Sequence, residues 1–180
     1  MVNFCKRCVY PIHAVNIDID DDGICSACRT FEEITKLGDE NWKIRENKFV
    51  QILEEYKKIT DGDYDCIIPV GGGKDSYYQA HYVKSLGFKP LLVTYYGNNF
   101  LPEGDENLHN MSKKLNLDHY IFKPSEELLI KLNRAAFFMM GDMNWHCHAG
   151  IFTYPMQIAI QDLFLQKVSI KQNPSDFFLN

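Results

Sequence analysis

The chain has no apolar run approaching the roughly 20 residues that a bilayer-crossing helix needs, which argues against a helical membrane protein. It also lacks a basic excess: 19 Lys and Arg stand against 24 Asp and Glu, a net charge of −5. A surface of that sign argues against broad nucleic-acid binding, which works by neutralising phosphates. Met1-Val2-Asn3-Phe4-Cys5 has no charged segment leading into an apolar one, so no secretory signal is expected. No internal repeat or low-complexity tract is evident. Disorder is excluded too, because hydrophobic residues make up 46% and aromatics 13% of the chain, enough for a packed core. A length of 180 residues permits one core domain and a small appendage.

Two familiar phosphate loops are also missing. A Walker A loop needs Ser or Thr directly after its Lys, and Lys74 is followed by Asp75. A dinucleotide fingerprint needs a sixth-position Gly, and Ser76 stands there. What is present is a short apolar run, Cys66 to Val70, then Gly71, Gly72 and Gly73, then Lys74-Asp75-Ser76 opening a helix. Glycines let a backbone approach a ligand closely, and the free N–H groups of a helix start suit a phosphate. A bare glycine-rich turn is the bland reading of the same residues. The stretch resembles the PP-loop of ATP pyrophosphatases, Ser-Gly-Gly-x-Asp-Ser after a first strand, with Gly71 in place of the first Ser.

At the N-terminus Cys5-Lys6-Arg7-Cys8 and Cys25-Ser26-Ala27-Cys28 form two Cys-x-x-Cys pairs separated by 16 residues. That spacing suits a four-thiolate zinc site, each pair spanning one edge of the metal. Four protein thiolates leave no open position, so the role is structural; iron–sulfur ligation is the minority option. Asp18-Ile19-Asp20-Asp21-Asp22-Gly23 mimics the start of a calcium loop, but Arg29 occupies the position that needs a bidentate Glu. Calcium is rejected in favour of a solvated turn. Thiolate ligands fit a reducing compartment, and a cytoplasmic location is expected.

Periodicity sets the organisation. Trp42, Phe49, Ile52, Leu53 and Tyr56 recur at helical spacing, closed by a turn at Asp61-Gly62-Asp63. Strands are expected at 64–70, 90–96 and 119–122, alternating with helices at 75–86 and 103–116 and followed by a helix after Ser125. Near-continuous apolar strands imply a sheet covered on both faces. The alternation implies an α/β fold with a doubly wound parallel sheet and ligands at the carboxyl ends of its strands. Pro69 is awkward for a central strand. The expected domains are a zinc knuckle at 1–36, a helical connector at 37–62, a PP-loop domain at 63–160 and an atypical tail at 161–180. His146-Cys147-His148 reads either as a turn packed locally or as chemistry: a ligand, a nucleophile or a general acid/base.

The order of these features, with Tyr64-Asp65-Cys66-Ile67-Ile68-Pro69-Val70, Leu91-Leu92-Val93-Thr94-Tyr95 and Cys147-His148-Ala149-Gly150-Ile151-Phe152-Thr153-Tyr154-Pro155, looks like the N-acetyl sugar amidotransferases, PP-loop enzymes of bacterial surface-glycan synthesis. The resemblance runs from residue 3 to about residue 160. It implies that ATP adenylylates the acetamido oxygen of an N-acetyl sugar and releases pyrophosphate. Ammonia then displaces AMP and leaves an acetamidino group. The ammonia would come from a partner glutaminase paired with a cyclase-like subunit. Val70 to Ser76 would hold the nucleotide, with Lys74, Asp75 and Ser76 acting on phosphate and Mg²⁺. Tyr95, Tyr96, Gly97 and Asn98 would line the base or sugar, and His146, Cys147 and His148 would contact the acceptor or act in catalysis. The family continues where this similarity ends, so an N-terminal fragment with exposed apolar surface is expected. Other readings are a different PP-loop adenylylating enzyme, such as a tRNA thiolase, and a non-catalytic zinc- and nucleotide-binding remnant.

Overall fold

The computed structural model describes residues 4–13, 15–59, 62–97 and 100–171, with side chains as far as residue 161. Asp61, expected in a turn, and Asn98, expected at the binding edge, lie outside the described residues. The chain divides into two compact units, Met1–Gln51 and Ile52–Asn180.

The first unit holds helix α1 (Ser26–Lys36) and most of α2 (Asp39–Ile59). Two isolated bridges, Phe4 with Pro11 and Ile19 with Cys25, fold the segment before α1. Cys25 caps α1, its sulfur accepting from the N–H of Cys28. Among the described residues of this unit only Cys5 and Cys25 are buried. Trp42 and Phe49 lie on α2 as the periodicity predicts, yet both are exposed.

The second unit is built on a three-stranded parallel sheet in the order β1 (Cys66–Pro69), β2 (Pro90–Tyr95), β3 (His119–Phe122). Between the strands run α3 (Lys74–Ser85) and α4 (Pro102–Leu115). Glycine ends α3, with Gly87 at φ 89°, and Pro102 opens α4 at a position where its missing donor costs nothing. The two helices touch each other, as successive crossovers in one direction require. After β3 come α5 (Glu126–Met140) and α6 (Trp145–Lys171). Ser125 caps α5 through the N–H of Leu128, and Gly141 ends it at φ 72°.

β2 is the centre of the core. Leu91 and Val93 cluster with Ile158 of α6, while Leu92 and Thr94 point to the opposite face by strand alternation. All four are at most 2% exposed, so β2 is covered on both sides. β1 and β3 are edges, and Pro69 is accommodated as the last residue of an edge strand. The strand order contains no reversal among the described residues. Tyr120, Ile121 and Phe122 of β3 and Phe138 and Met139 of α5 remain exposed.

One expectation is corrected. Residues 146–148 are not a turn but the first turn of α6, started by bonds from Trp145 N to Asp142 O and from Cys147 and His148 N to Asn144 O. α6 runs on to Lys171, into the segment 161–180 set apart as a tail; residues 172–180 lie outside the described residues.

Candidate functional site

The candidate site of the first unit is a cluster of four cysteines. The sulfurs of Cys5, Cys8, Cys25 and Cys28 all lie within 4.8 Å of one another, those of Cys8 and Cys25 at 3.6 Å. Tetrahedral zinc with Zn–S bonds near 2.3 Å places sulfurs about 3.8 Å apart, so these four close cysteines are able to bind a metal such as zinc. Backbone donors already point at them: Arg7 and Cys25 N–H at Cys5 (3.4 and 3.3 Å) and Cys28 N–H at Cys25 (3.4 Å). Such second contacts orient thiolates before a metal arrives. The Cys8 N–H holds the Cys5 thiol down to about 6. Burial, reinforced by the neighbouring thiols, pushes Cys28 up to about 12. Four sulfurs this close need a cation before all can ionise.

Outside the sulfurs Arg29 gathers the acidic turn, bonding Asp20 (2.7 Å), Asp22 (2.8 Å) and Glu32 (3.3 Å), while Arg7 also pairs with Glu32. The Ile24 N–H and then Arg29 hold the Asp20 carboxyl below the usual range. Two of the calcium-like carboxylates, Asp20 and Asp22, are thus engaged by Arg29, the residue that replaces the loop's Glu. Directly after Cys8, Val9 sits at φ 55°, a left-handed conformation that a β-branched residue adopts only under strain.

The second unit carries the glycine loop at the carboxyl end of β1. Val70 continues the pairing with β2 (N to Val93 O, 2.9 Å). Thr94 donates to Val70 O (2.6 Å), so its single proton is used, and it accepts from His119 Nε2 (2.8 Å). This relay ties all three strands together beneath the loop. Burial lowers His119 to about 4, which keeps its ring neutral. Neither Thr94 nor His119 was predicted as a site residue; a lone Thr inside an apolar strand was the available signal.

Of the three glycines only Gly72 is sterically required. It has φ +77°, and a Cβ there would lie 2.8 Å from Gly104 O. A Cβ on Gly71 or Gly73 would meet nothing within 4 Å. The Ser76 hydroxyl accepts from Gly71 N (3.2 Å) and closes the loop. Among the described residues the N–H groups of Gly72, Gly73 and Lys74 have no acceptor, and Lys74 and Asp75, both exposed, have no side-chain partner. Gly73 caps α3 without a side-chain bond.

Two cavities adjoin this loop. One of about 190 Å³ is lined by Val70, Gly71 and Ser76 together with Tyr95, Phe100 and Cys147. The other, about 570 Å³, is lined by Gly72, Gly73 and Lys74 with Tyr77, Tyr78 and His81 of α3. Sequence reasoning missed Phe100, Tyr77, Tyr78 and His81, which carry no motif.

The structure brings Cys147 to the loop and leaves its two histidines elsewhere. On a helix, neighbours point about 100° apart. His146 is buried, with Nε2 2.5 Å from Asn133 Oδ1 of α5, and its Nδ1 has no partner among the described residues. His148 is exposed, 3.9 Å from Asp142. Burial lowers His146 and raises the Cys147 thiol, so both are held in their neutral forms. Tyr95 lines the smaller cavity, whereas Tyr96 is engaged by Asp105 (3.1 Å), Phe100 and Lys123.

No helix among the described residues is long and apolar enough to cross a membrane. Comparison with protein-family models and with curated proteins finds no match to this chain.

Proposed function

We propose that the chain is a PP-loop nucleotide-binding protein of the doubly wound type, and that it belongs to the N-acetyl sugar amidotransferases. The observation that carries this reading is the loop itself. Three consecutive backbone N–H groups without acceptors, an unpaired Lys74 and an unpaired Asp75 meet at the carboxyl end of a parallel strand, beside two cavities. Fixed donors of this kind stabilise charge that develops on a phosphate without reorganising. Ligands of parallel α/β sheets sit at this end of the strands.

In the reaction, an amide carbon is a poor electrophile and its oxygen a poor leaving group. Transfer of AMP from ATP to the acetamido oxygen of the sugar breaks the α–β phosphate bond and releases pyrophosphate. Ammonia then adds to the activated carbon, and AMP departs with the former amide oxygen, leaving an acetamidino group. Gly72, Gly73 and Lys74 hold the departing pyrophosphate, and Ser76 keeps one proton free to donate to it. Mg²⁺ would be held by Asp75 and would neutralise phosphate charge. In this reading the planar base lies in the 190 Å³ cavity against Tyr95, and the 570 Å³ cavity lined by Gly72, Gly73 and Lys74 takes the phosphates. Zinc in the four-cysteine site has a structural role. Ammonia comes from a partner glutaminase with a cyclase-like subunit, and the setting is cytoplasmic.

Calorimetric titration of the metal-loaded protein with Mg-ATP tests the reading. Binding in the micromolar range that disappears in Asp75→Ala is expected. Absence of heat from folded, metal-containing protein would overturn it.

A further inference from the structure

Gly150 lies inside α6, where glycine is among the poorest choices. Its φ falls outside the left-handed region, so its backbone does not call for glycine. What calls for it is Tyr95. A Cβ on Gly150 would lie 2.5 Å from Cε1 and 2.6 Å from Cδ1 and Cζ of that ring. Gly97 stands in the same relation, its Cβ falling 2.6 Å from Tyr95 Cε1 and 2.8 Å from Cys147 Sγ. The obstacle is a rigid ring in both cases. Phe122 packs against Tyr95 at 5.7 Å between centroids, and Tyr154 backs Phe122 at 5.1 Å. With those neighbours on one side of it, the 190 Å³ cavity it lines is a space into which a displaced Tyr95 can move.

We propose that Gly97 and Gly150 form a clamp that seats Tyr95 against α6. Gly150 is then a positioning residue that sets the opening of the cavity. A cavity of this size admits one ring, so the clamp selects for the ring end of the ligand and leaves its phosphate end indifferent. The identity of that ligand, a purine nucleotide, rests on the reading above; the clamp does not.

The test compares Mg-ATP with tripolyphosphate, which has the charge and no ring, on the native chain, Gly150→Ala and Gly150→Ala/Tyr95→Leu. Gly150→Ala should weaken ATP about tenfold, the scale expected of overpacking, and leave tripolyphosphate unchanged. Tyr95→Leu removes the clashing ring in the double variant and provides a folded partner if the single variant misfolds; because Tyr95 itself lines the base site, that variant is read by the cysteine rate below and not by ATP affinity. Equal losses for both ligands, or none, would overturn the clamp. A readout independent of ligand is the alkylation rate of Cys147, followed by mass spectrometry. It should fall in Gly150→Ala as the ring covers the sulfur, and recover in the double variant. If the native chain binds neither ligand while this rate still falls, the nucleotide reading fails and the clamp stands. An unchanged rate overturns the clamp.

Discussion

The two units of this chain are held by different physics. In the sheet unit a central strand is buried on both faces, and Leu91, Leu92, Val93, Leu108 and Met111 are all at most 2% exposed. In the first unit the only buried described residues are two cysteines, and many of its large apolar side chains, Phe31 and Trp42 among them, are exposed. A segment this short cannot bury enough apolar surface to offset its chain entropy. Four sulfurs, three N–H···S bonds and an arginine-centred ion cluster occupy the place of a core, and exposed ion pairs contribute little by themselves. The difference is that the sheet unit has an apolar core, whereas in the first unit four close cysteines able to bind a metal stand where a core would be, so order there is expected to depend on that metal.

The largest effect that would sharpen this contrast is expected from Cys25→Ser. Structural zinc contributes apparent free energies of about 10–16 kcal/mol to small metal domains, and Cys25 is both one of the four clustered cysteines and the cap of α1. Bound metal and helical signal from the first unit should be lost together, while the sheet unit keeps its cooperative melt. The mirror experiment is Leu92→Ala, which should cost the sheet unit about 2–5 kcal/mol in denaturant melts with no change in metal content. If either variant damages both units equally, the contrast breaks.

Acid gives a smaller, directional effect. His119 titrates near 4 when folded against an ordinary value of 6.5, so the unfolded chain takes up the proton first as pH falls. The stability that the neutral ring contributes is complete above 6.5 and is lost progressively towards 4. Melting of the sheet unit should therefore soften across that window, and His119→Gln should flatten the slope. The smallest effect is expected at Val9. Glycine there relieves left-handed strain of about 1 kcal/mol, so Val9→Gly should bind metal slightly more tightly in a competition assay with a chromogenic chelator.

Much of this was legible in the sequence because the signals were local. Cysteine spacing pointed to the four-cysteine cluster, since each pair's geometry is set within four residues. β3 has the ends that its apolar run predicted, and α3 starts within one residue of expectation because glycine and then a charged turn mark a helix start. The His146–His148 segment misled because three titratable residues in a row suggest convergence, and only the helix shows that they diverge. The Tyr95 clamp was hidden for another reason: a glycine inside a helical run looks like a weak spot unless the ring it touches is known. Thr94 and His119 are 25 residues apart, and nothing in the sequence links them before the strands pair.

The most direct measurement of the central contrast is amide hydrogen exchange of the zinc-loaded chain before and after chelation. Protection in residues 15–36 should collapse when the metal is removed, while protection across 66–95 stays unchanged. Retained protection in the first unit after complete metal removal would contradict the account, because it would mean that something other than the four sulfurs holds that unit together.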